Sequence, residues 1–333
     1  MKHSTIIDIA KKLGISASTV SRALSNHPDI RKDTKDRVNK IAKELNYTPN
    51  PIARSLKNSI TKTIGVQVPE IKHDFFSSAI SGIEDAAYKA GYTILVSQSN
   101  ESNEREIMNT RMLIQHRVAG ILVSISQTTQ NCNHFKEVLT RNIPLVFFDR
   151  VSEEINASKV IIDDYKTAFE AVSYLITKGY KRIAHFGGPK QLNICSKRHD
   201  GYMDALKKAG LPIISDFVRV GGLHELDGYK MMDAVLNGSN LPDAIFAVND
   251  PVAIGAFQRI GESSLRIPQD IALMGFSNNK ITSLVNPPIS TVNQPSYEMG
   301  MKAAEMLIEQ IEGKDKTIRT VILEASLIKR GST

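Results

Sequence analysis

This chain of 333 residues has no tryptophan and only two cysteines, Cys132 and Cys195, which lie far apart and outside any CxxC spacing. So few thiols exclude a disulfide framework and a cysteine-built zinc site, and they suit a reducing cytoplasm. No apolar run approaches the ~20 residues of a membrane span. The opening MKHSTIIDIAKKLG lacks the apolar core of a secretory signal. There is no low-complexity tract, and 41% hydrophobic with 23% charged residues is the make-up of a soluble globular protein. At this length two or three compact units are expected.

The chain also lacks an even spread of charge. Met1 to Thr61 carry 12 Lys and Arg against 5 Asp and Glu, a net of +7, and residues 62–333 carry 30 of each. The pI of about 9.2 therefore describes one end of the molecule. A basic module on a neutral body suits a partner with a phosphate backbone. The alternative is a solvated charged tail, but here the charges are interleaved with periodic apolar residues, as in a folded unit.

Signatures of α/β enzymes are missing too: no GxGxxG turn, no GxxxxGK[ST] loop, no GxSxG elbow and no HExxH among the eight histidines. Asp163 and Asp164 form a carboxylate pair, but after the apolar run KVII they read as the start of a helix. No catalytic residue, resident cofactor or metal is therefore expected. A sugar-binding protein without regulatory function is the other competitor. The missing signal segment and the basic N-terminal unit argue against it.

Within that unit, Thr5 can cap a helix whose apolar positions Ile6, Ile9, Ala10 and Leu13 have helical spacing. Gly14 ends it, since glycine enters the left-handed region cheaply. Ser16 can cap a second helix, Ala17 to Leu24, with Val20 and Leu24 inward. Helix, glycine turn, helix is the helix-turn-helix arrangement. Ala17, Ser18, Ser21 and Arg22 then fall on or near its outer face. Arg22 can contact a guanine with two hydrogen bonds or contact a phosphate, and the residues leave both open. A third helix is predicted from Lys32 to Leu45, packing Thr34, Val38, Ile41, Ala42 and Leu45 inward. In TPNPIARSLKNS, residues 48–59, Pro49 and Pro51 break that helix, Asn50 can cap, and Ile52 to Lys57 make one or two turns. A helix so short is marginal alone and suited to forming on a partner. Leu56 either wedges between base pairs in a minor groove or packs on protein.

These strings, TIIDIAKKLGISASTVSRALS at 5–25 and ELNYTPNPIARSLK at 44–57, closely resemble the LacI/GalR family of bacterial transcription regulators, and the resemblance runs essentially the full length. It implies a homodimer whose two headpieces (1–49) read half-sites of double-stranded operator DNA, while paired hinge helices (50–61) enter the central minor groove. It places Thr5, Ser16, Ala17, Ser18, Thr19, Ser21, Arg22, Asn26, Asn50, Ala53, Leu56 and Lys57 at the DNA. Small residues at 17 and 18, where another member has larger ones, imply a different operator.

From Lys62 onward apolar strands alternate with amphipathic helices. Strands are predicted at 63–68, 93–98, 120–125, 145–149, 159–164, 182–187, 244–249 and 271–276, with helices at 77–91 and 104–116 among them. Short buried strands separated by helices imply parallel α/β sheets, which bind ligands beyond the carboxyl ends of their strands. The resemblance makes residues 62–333 a two-lobed, periplasmic-binding-protein-like core for effector binding and dimerisation. One lobe would span 62–161 and 290–322, the other 162–289 and 323–333. Position by position it lines the cleft with Phe75, Phe76, Ser124, Asp149, Arg198, Asn249, Ser277 and Gln294. Read as residues alone, the two phenylalanines can stack on a ligand ring or simply fill the core. Asp149 can accept bonds from hydroxyls, cap a helix or pair with Arg150. Arg198 can clamp a ligand or pair with a carboxylate. Of Asn249 and Asp250, one can bind ligand while the other caps a helix. Sugar-responsive members often have an arginine at Ser196 and an aspartate at Ser277, and purine-responsive ones an arginine at Leu192. These departures disfavour a purine and leave a sugar or sugar derivative as the expected effector. A phosphorylated protein corepressor, as used by catabolite-control members, stays open as a further partner. No leucine heptad follows the core, so a dimer rather than a tetramer is expected.

Overall fold

The computed structural model describes residues 4–45, 47 and 61–333, and divides into one unit ending at Thr61 and a second from Lys62 to Thr333. Among the described residues of the first unit there are three helices: α1 (Ile6–Leu13), α2 (Ala17–Leu24) and α3 (Lys32–Glu44). Each gives its apolar stripe to one small core of Ile9, Ala10, Val20, Ala23, Val38 and Ala42, with Leu24, Ile41 and Leu45 half-buried around it. The ends are set locally. Gly14 closes α1 at φ 64° with its amide bonded to the last turn. Ser4 Oγ donates to Leu45 O at 2.8 Å and ties the start of α1 to the end of α3.

The second unit begins with β1 (Thr63–Val68), α4 (Asp74–Lys89), β2 (Thr93–Gln98), α5 (Asn103–Gln115), β3 (Gly120–Val123), α6 (Asn133–Thr140), β4 (Leu145–Phe148) and β5 (Ser158–Ile162). These strands and β11 (Thr320–Leu323) make a six-stranded sheet in the order β11-β5-β4-β3-β1-β2, parallel throughout. The chain then builds a second sheet: α7 (Asp164–Thr177), β6 (Ile183–Gly187), α8 (Asn193–Lys208), β7 (Val218–Val220), α9 (Glu225–Leu236), β8 (Ala244–Ala247), α10 (Asp250–Gly261) and β9 (Ala272–Met274). Its order is β7-β6-β8-β9, again parallel. Two parallel sheets with helices make two lobes. The chain returns to the first through β10 (Thr291–Asn293) and α11 (Ser296–Ile311), and β12 (Ser326–Ile328) pairs antiparallel with β10.

Burial on both sheet faces explains the unbroken apolar strands: in β3, Leu122 joins one core cluster while Ile121 and Val123 join another. Helices pair by close backbone contact. A Cβ at Gly82 of α4 would lie 2.0 Å from Tyr297 O of α11, and one at Gly300 of α11 the same distance from Ala79 O. In the other lobe a Cβ at Gly255 of α10 would stand 1.8 Å from Glu225 O of α9. Only glycine allows these crossings.

Candidate functional sites

In the first unit the capping residues are committed to the fold. Thr5 Oγ1 accepts from the Asp8 amide, and Asp8 Oδ2 accepts from the Thr5 amide at 2.8 Å, a reciprocal capping box. Ser16 Oγ accepts from the Thr19 amide at 3.1 Å and lies 2.8 Å from both Ser18 Oγ and Thr19 Oγ1. Beyond the caps, α2 exposes Ala17, Ser18 and Arg22, with Thr19 and Ser21 half-buried; Asn26 is exposed in a left-handed turn at φ 54°. Ala17, Ser18 and Arg22 are thus exposed on the second helix, while Thr5, Ser16 and Asn26 lie outside it. Asn50, Ala53, Leu56 and Lys57 lie outside the described residues.

In the second unit a cavity, part of it open to solvent, lies between the lobes. Phe75, Phe76, Asp149, Arg198, Asn249, Ser277 and Gln294 all line it. Ser124 does not. Strand β3 ends at Val123, one residue earlier, and the buried Ser124 side chain accepts from the Arg150 amide at 3.4 Å. Expecting Ser124 at the ligand is therefore a misplacement. His73, Arg150, Ile194, Leu223, Pro251 and Asn279 line the cavity without having been expected.

Position along the sheets explains the assembly. Asp149 directly follows β4, Asn249 lies just past β8, Ser277 past β9, and Gln294 follows β10, so backbone carboxyl ends deliver polar side chains to one place. The local backbone is strained there: Asp149 sits at φ 58° and Ser277 at φ 120°. Ser277 Oγ donates to Gln294 Oε1 at 2.7 Å. Phe75 and Phe76 meet edge to face, 5.2 Å between centroids, in the first turn of α4. Both belong to the hydrophobic core and also line the cavity.

Asp149 is nearly sealed from water, and burial pushes its carboxyl up to about 6; Arg150 and Arg198 pull it down against that, and Asp164 pushes with it. Arg150 is not chiefly its partner. The Arg150 Nη1 donates to both carboxylate oxygens of Glu101, at 2.8 and 3.0 Å, and only Nε comes within 3.9 Å of Asp149. Burial alone would lower the Arg150 pKa, but Glu101 and Asp149 outweigh it and raise it.

Arg198 is a structural clamp before it is a ligand contact. It is 2% exposed, reaches Asp164 Oδ1 through Nε (2.8 Å) and Nη2 (2.7 Å), donates to Val248 O at 2.7 Å, and lies 3.7 Å above the Phe276 ring. Its carboxylate partner opens the helix α7, where Asp163 is the N-cap. Burial pushes the Asp164 carboxyl up and Arg198 opposes that. Asn249 is likewise spoken for: Oδ1 caps α10 at the Val252 amide and Nδ2 donates to Leu223 O, both at 2.9 Å. Asp250 is not the ligand group either. Its oxygens accept from Thr291 Oγ1 (2.7 Å) and the Asn279 amide (2.6 Å), and burial pushes it up to about 6. Both cysteines are free and buried, with Cys195 pushed up to about 12 by burial.

At the rim, His73 Nε2 lies 2.7 Å from Glu70 Oε2, and His224 Nδ1 lies 3.8 Å from that same oxygen. Histidine spacing along the chain gave no hint of this, because His224 comes from the other lobe. No described helix is long and apolar enough to cross a membrane.

Residues 5–50 match the model of bacterial regulatory proteins of the lacI family, and residues 172–333 match the periplasmic binding protein-like domain. The HTH-type transcriptional repressor CytR of Escherichia coli (strain K12) is 33% identical over 331 residues, which cover 99% of this chain and 96% of that protein. Among solved structures, the lac repressor dimer bound to operator and the anti-inducer ONPF superposes with a TM-score of 0.87 at 25% identity, covering 99% of both chains. The transcriptional regulator CelR in complex with cellobiose gives 0.76 at 26% identity, over 99% of this chain and 100% of that one.

Proposed function

This chain belongs to the LacI family of bacterial regulatory proteins and is a DNA-binding transcriptional regulator, and on that basis we propose a homodimeric repressor whose hold on its operator is set by a small carbohydrate or carbohydrate-bearing molecule bound between the lobes. The observation that carries this reading is the cavity itself, whose lining joins Phe75, Phe76 and Asp149 of the first lobe to Arg198, Asn249 and Ser277 of the second. A ligand touching both lobes binds one lobe arrangement better than another. That difference in affinity is what shifts a conformational population.

The chemistry divides among the residues. Asp149 is the acceptor for ligand hydroxyls, and the Ser277–Gln294 pair offers neutral polar atoms beside it. Phe75 and Phe76 supply an aromatic wall for a ring. Arg198 and Asn249, held by Asp164, Val248, Leu223 and Val252, fix the shape of the far wall and act as positioning residues. Two relatives favour a dimer and a sugar-class effector: the operator-bound lac repressor dimer and the cellobiose complex of CelR. In the headpiece, α2 presents Ala17, Ser18 and Arg22 to the major groove. Asn50, Ala53, Leu56 and Lys57 of the hinge complete the contact in the minor groove. Nothing in this mechanism needs a catalytic residue.

The test is a thermal-shift screen of the purified protein against monosaccharides, disaccharides, sugar phosphates, nucleosides and free nucleobases, followed by operator release with any hit. A tight cleft ligand raises the melting temperature by mass action. A sugar-bearing hit that also changes operator affinity supports the proposal. A hit confined to free bases, or none at all, refutes a carbohydrate effector.

A further inference from the structure

Glu70, His73 and His224 have no part in the cleft chemistry above, yet they converge from two lobes. Glu70 follows β1, His73 precedes α4, and His224 precedes α9. One donor atom from each lies within 4.8 Å of the other two. The two imidazoles stack at 5.8 Å with planes 18° apart. Glu70 Oε2 and His224 Nδ1 are buried atoms that make no hydrogen bond among the described residues. A Glu70–His73 ion pair would explain the 2.7 Å contact, but it leaves His224, whose ring turns towards the Asp227 amide of its own helix cap without completing a hydrogen bond there, with Nδ1 facing the same oxygen at 3.8 Å.

Two imidazole nitrogens and one carboxylate oxygen are the protein ligands of open zinc sites. Metal–ligand bonds of about 2.0–2.2 Å in a tetrahedron separate the ligand atoms by roughly 3.3–3.6 Å. The observed 2.7 and 3.8 Å fall on either side of that spacing and the two imidazole nitrogens lie within 4.8 Å of each other, so the side chains must rotate to close on one ion. Glu225, beside His73, adds negative charge. Lys72 Nζ stands 3.4 Å from Glu70 Oε2 on an exposed stem and would swing into solvent.

The geometry points to a binding site for a single divalent transition-metal ion, zinc by its ligand chemistry, held by Glu70 Oε2, His73 Nε2 and His224 Nδ1 across the rim of the interlobe cleft. Such an ion joins the lobes directly. His73 also lines the cavity, so the fourth coordination position is left for water or for an oxygen of a molecule in the cleft. Metal and cleft ligand then favour the same lobe arrangement, and each tightens the binding of the other.

The site is tested on the full-length protein, stripped with EDTA and free of any sugar, so that the outcome is independent of the effector's identity. Zinc chloride is titrated in competition with a chromophoric chelator, and cobalt chloride is added separately to read the visible bands of tetrahedral Co(II). One ion per chain is expected, with a rise in melting temperature. His224→Asn, which keeps a good helix N-cap, and His73→Gln should each weaken zinc binding by about tenfold or more and abolish the cobalt bands. Glu70→Gln serves as a third variant, and unchanged circular dichroism and metal-free melting certify each fold. Absence of stoichiometric zinc binding by the unaltered protein overturns the site. So does unaltered affinity in the folded variants, which would place the ion at other histidines.

Discussion

Asp149→Asn should make the ligand-free protein more stable, and the gain should grow with pH. Burial raises the carboxyl from its ordinary 3.8 to about 6. The folded state therefore holds the proton more tightly than the unfolded chain does. The corresponding stability is fully present below pH 3.8 and is lost as pH rises through 6. A shift of about two units is worth roughly 3 kcal/mol at 1.36 kcal/mol per unit, and about half of it, ~1.4 kcal/mol, disappears between pH 5 and pH 8. Asparagine cannot ionise, so the advantage of the variant over the parent should widen by that amount across the interval. Asp250 is also raised to about 6 but is common to both chains, so its titration largely cancels. Asparagine also tolerates the left-handed φ of 58°, which adds a small offset independent of pH. The assay is urea unfolding at equal protomer concentration at pH 5, 6, 7 and 8. A stability difference that stays flat or narrows with pH refutes the reasoning. The same variant should lose most of the thermal shift given by any hydroxylated cleft ligand, because the charge that burdens the empty protein is the one the ligand uses.

Arg198→Met should cost about 3–5 kcal/mol, since it strands Asp164 as an unpaired buried carboxylate; urea unfolding should show most of that recovered in the Arg198→Met/Asp164→Asn double variant. Gly255→Ala would place a methyl 1.8 Å from Glu225 O and should cost at least ~3 kcal/mol or abolish soluble expression. Gly261→Ala, with nothing within 4 Å of its Cβ position, should instead gain a few tenths to ~1 kcal/mol by the same assay. Arg22→Ala should relax discrimination at one base pair of each operator half-site by ~1–3 kcal/mol in competition binding, and a uniform loss across sequences would make it a phosphate contact. Leu56→Ala should weaken specific binding far more than non-specific binding, and equal losses would count against a wedge in the minor groove.

What could be read from the sequence follows how local each determinant is. Thr5, Gly14 and Ser16 act within one turn of their own helix ends, and α2 runs from Ala17 to Leu24 as its capping pattern predicts. β1 and β2 occupy their predicted residues because unbroken apolar runs between turns leave little choice. Helix α4 begins at Asp74 rather than 77, which puts Phe75 and Phe76 in its first turn. The short strands β7, β10, β11 and β12 were not anticipated, since three or four residues carry no period. Long-range pairs stayed hidden. Nothing near Arg198 in the chain distinguishes Asp164 from Asp200 as its partner, and nothing near Glu70 announces His224. Ser124 lies just past the end of β3, buried and accepting from the Arg150 amide, a long-range bond that nothing in its local sequence announces.

The glycine crossings bear on how the molecule can move. Where two helices touch backbone to backbone, neither can slide along the other without driving a carbonyl into a Cα. Gly82 with Gly300 in one lobe, and Gly255 in the other, key their helix pairs like the teeth of a ratchet that has no next notch. Each lobe therefore behaves as a single mechanical part. Compliance is left to the segments of chain that pass between the lobes: residues 162–163 before α7, residues 288–290 before β10, and the step from β11 to β12. Selection for a new ligand can rework cleft-wall residues that hold no helix end or ion pair in place, whereas selection for a new stroke must act on those few crossing residues.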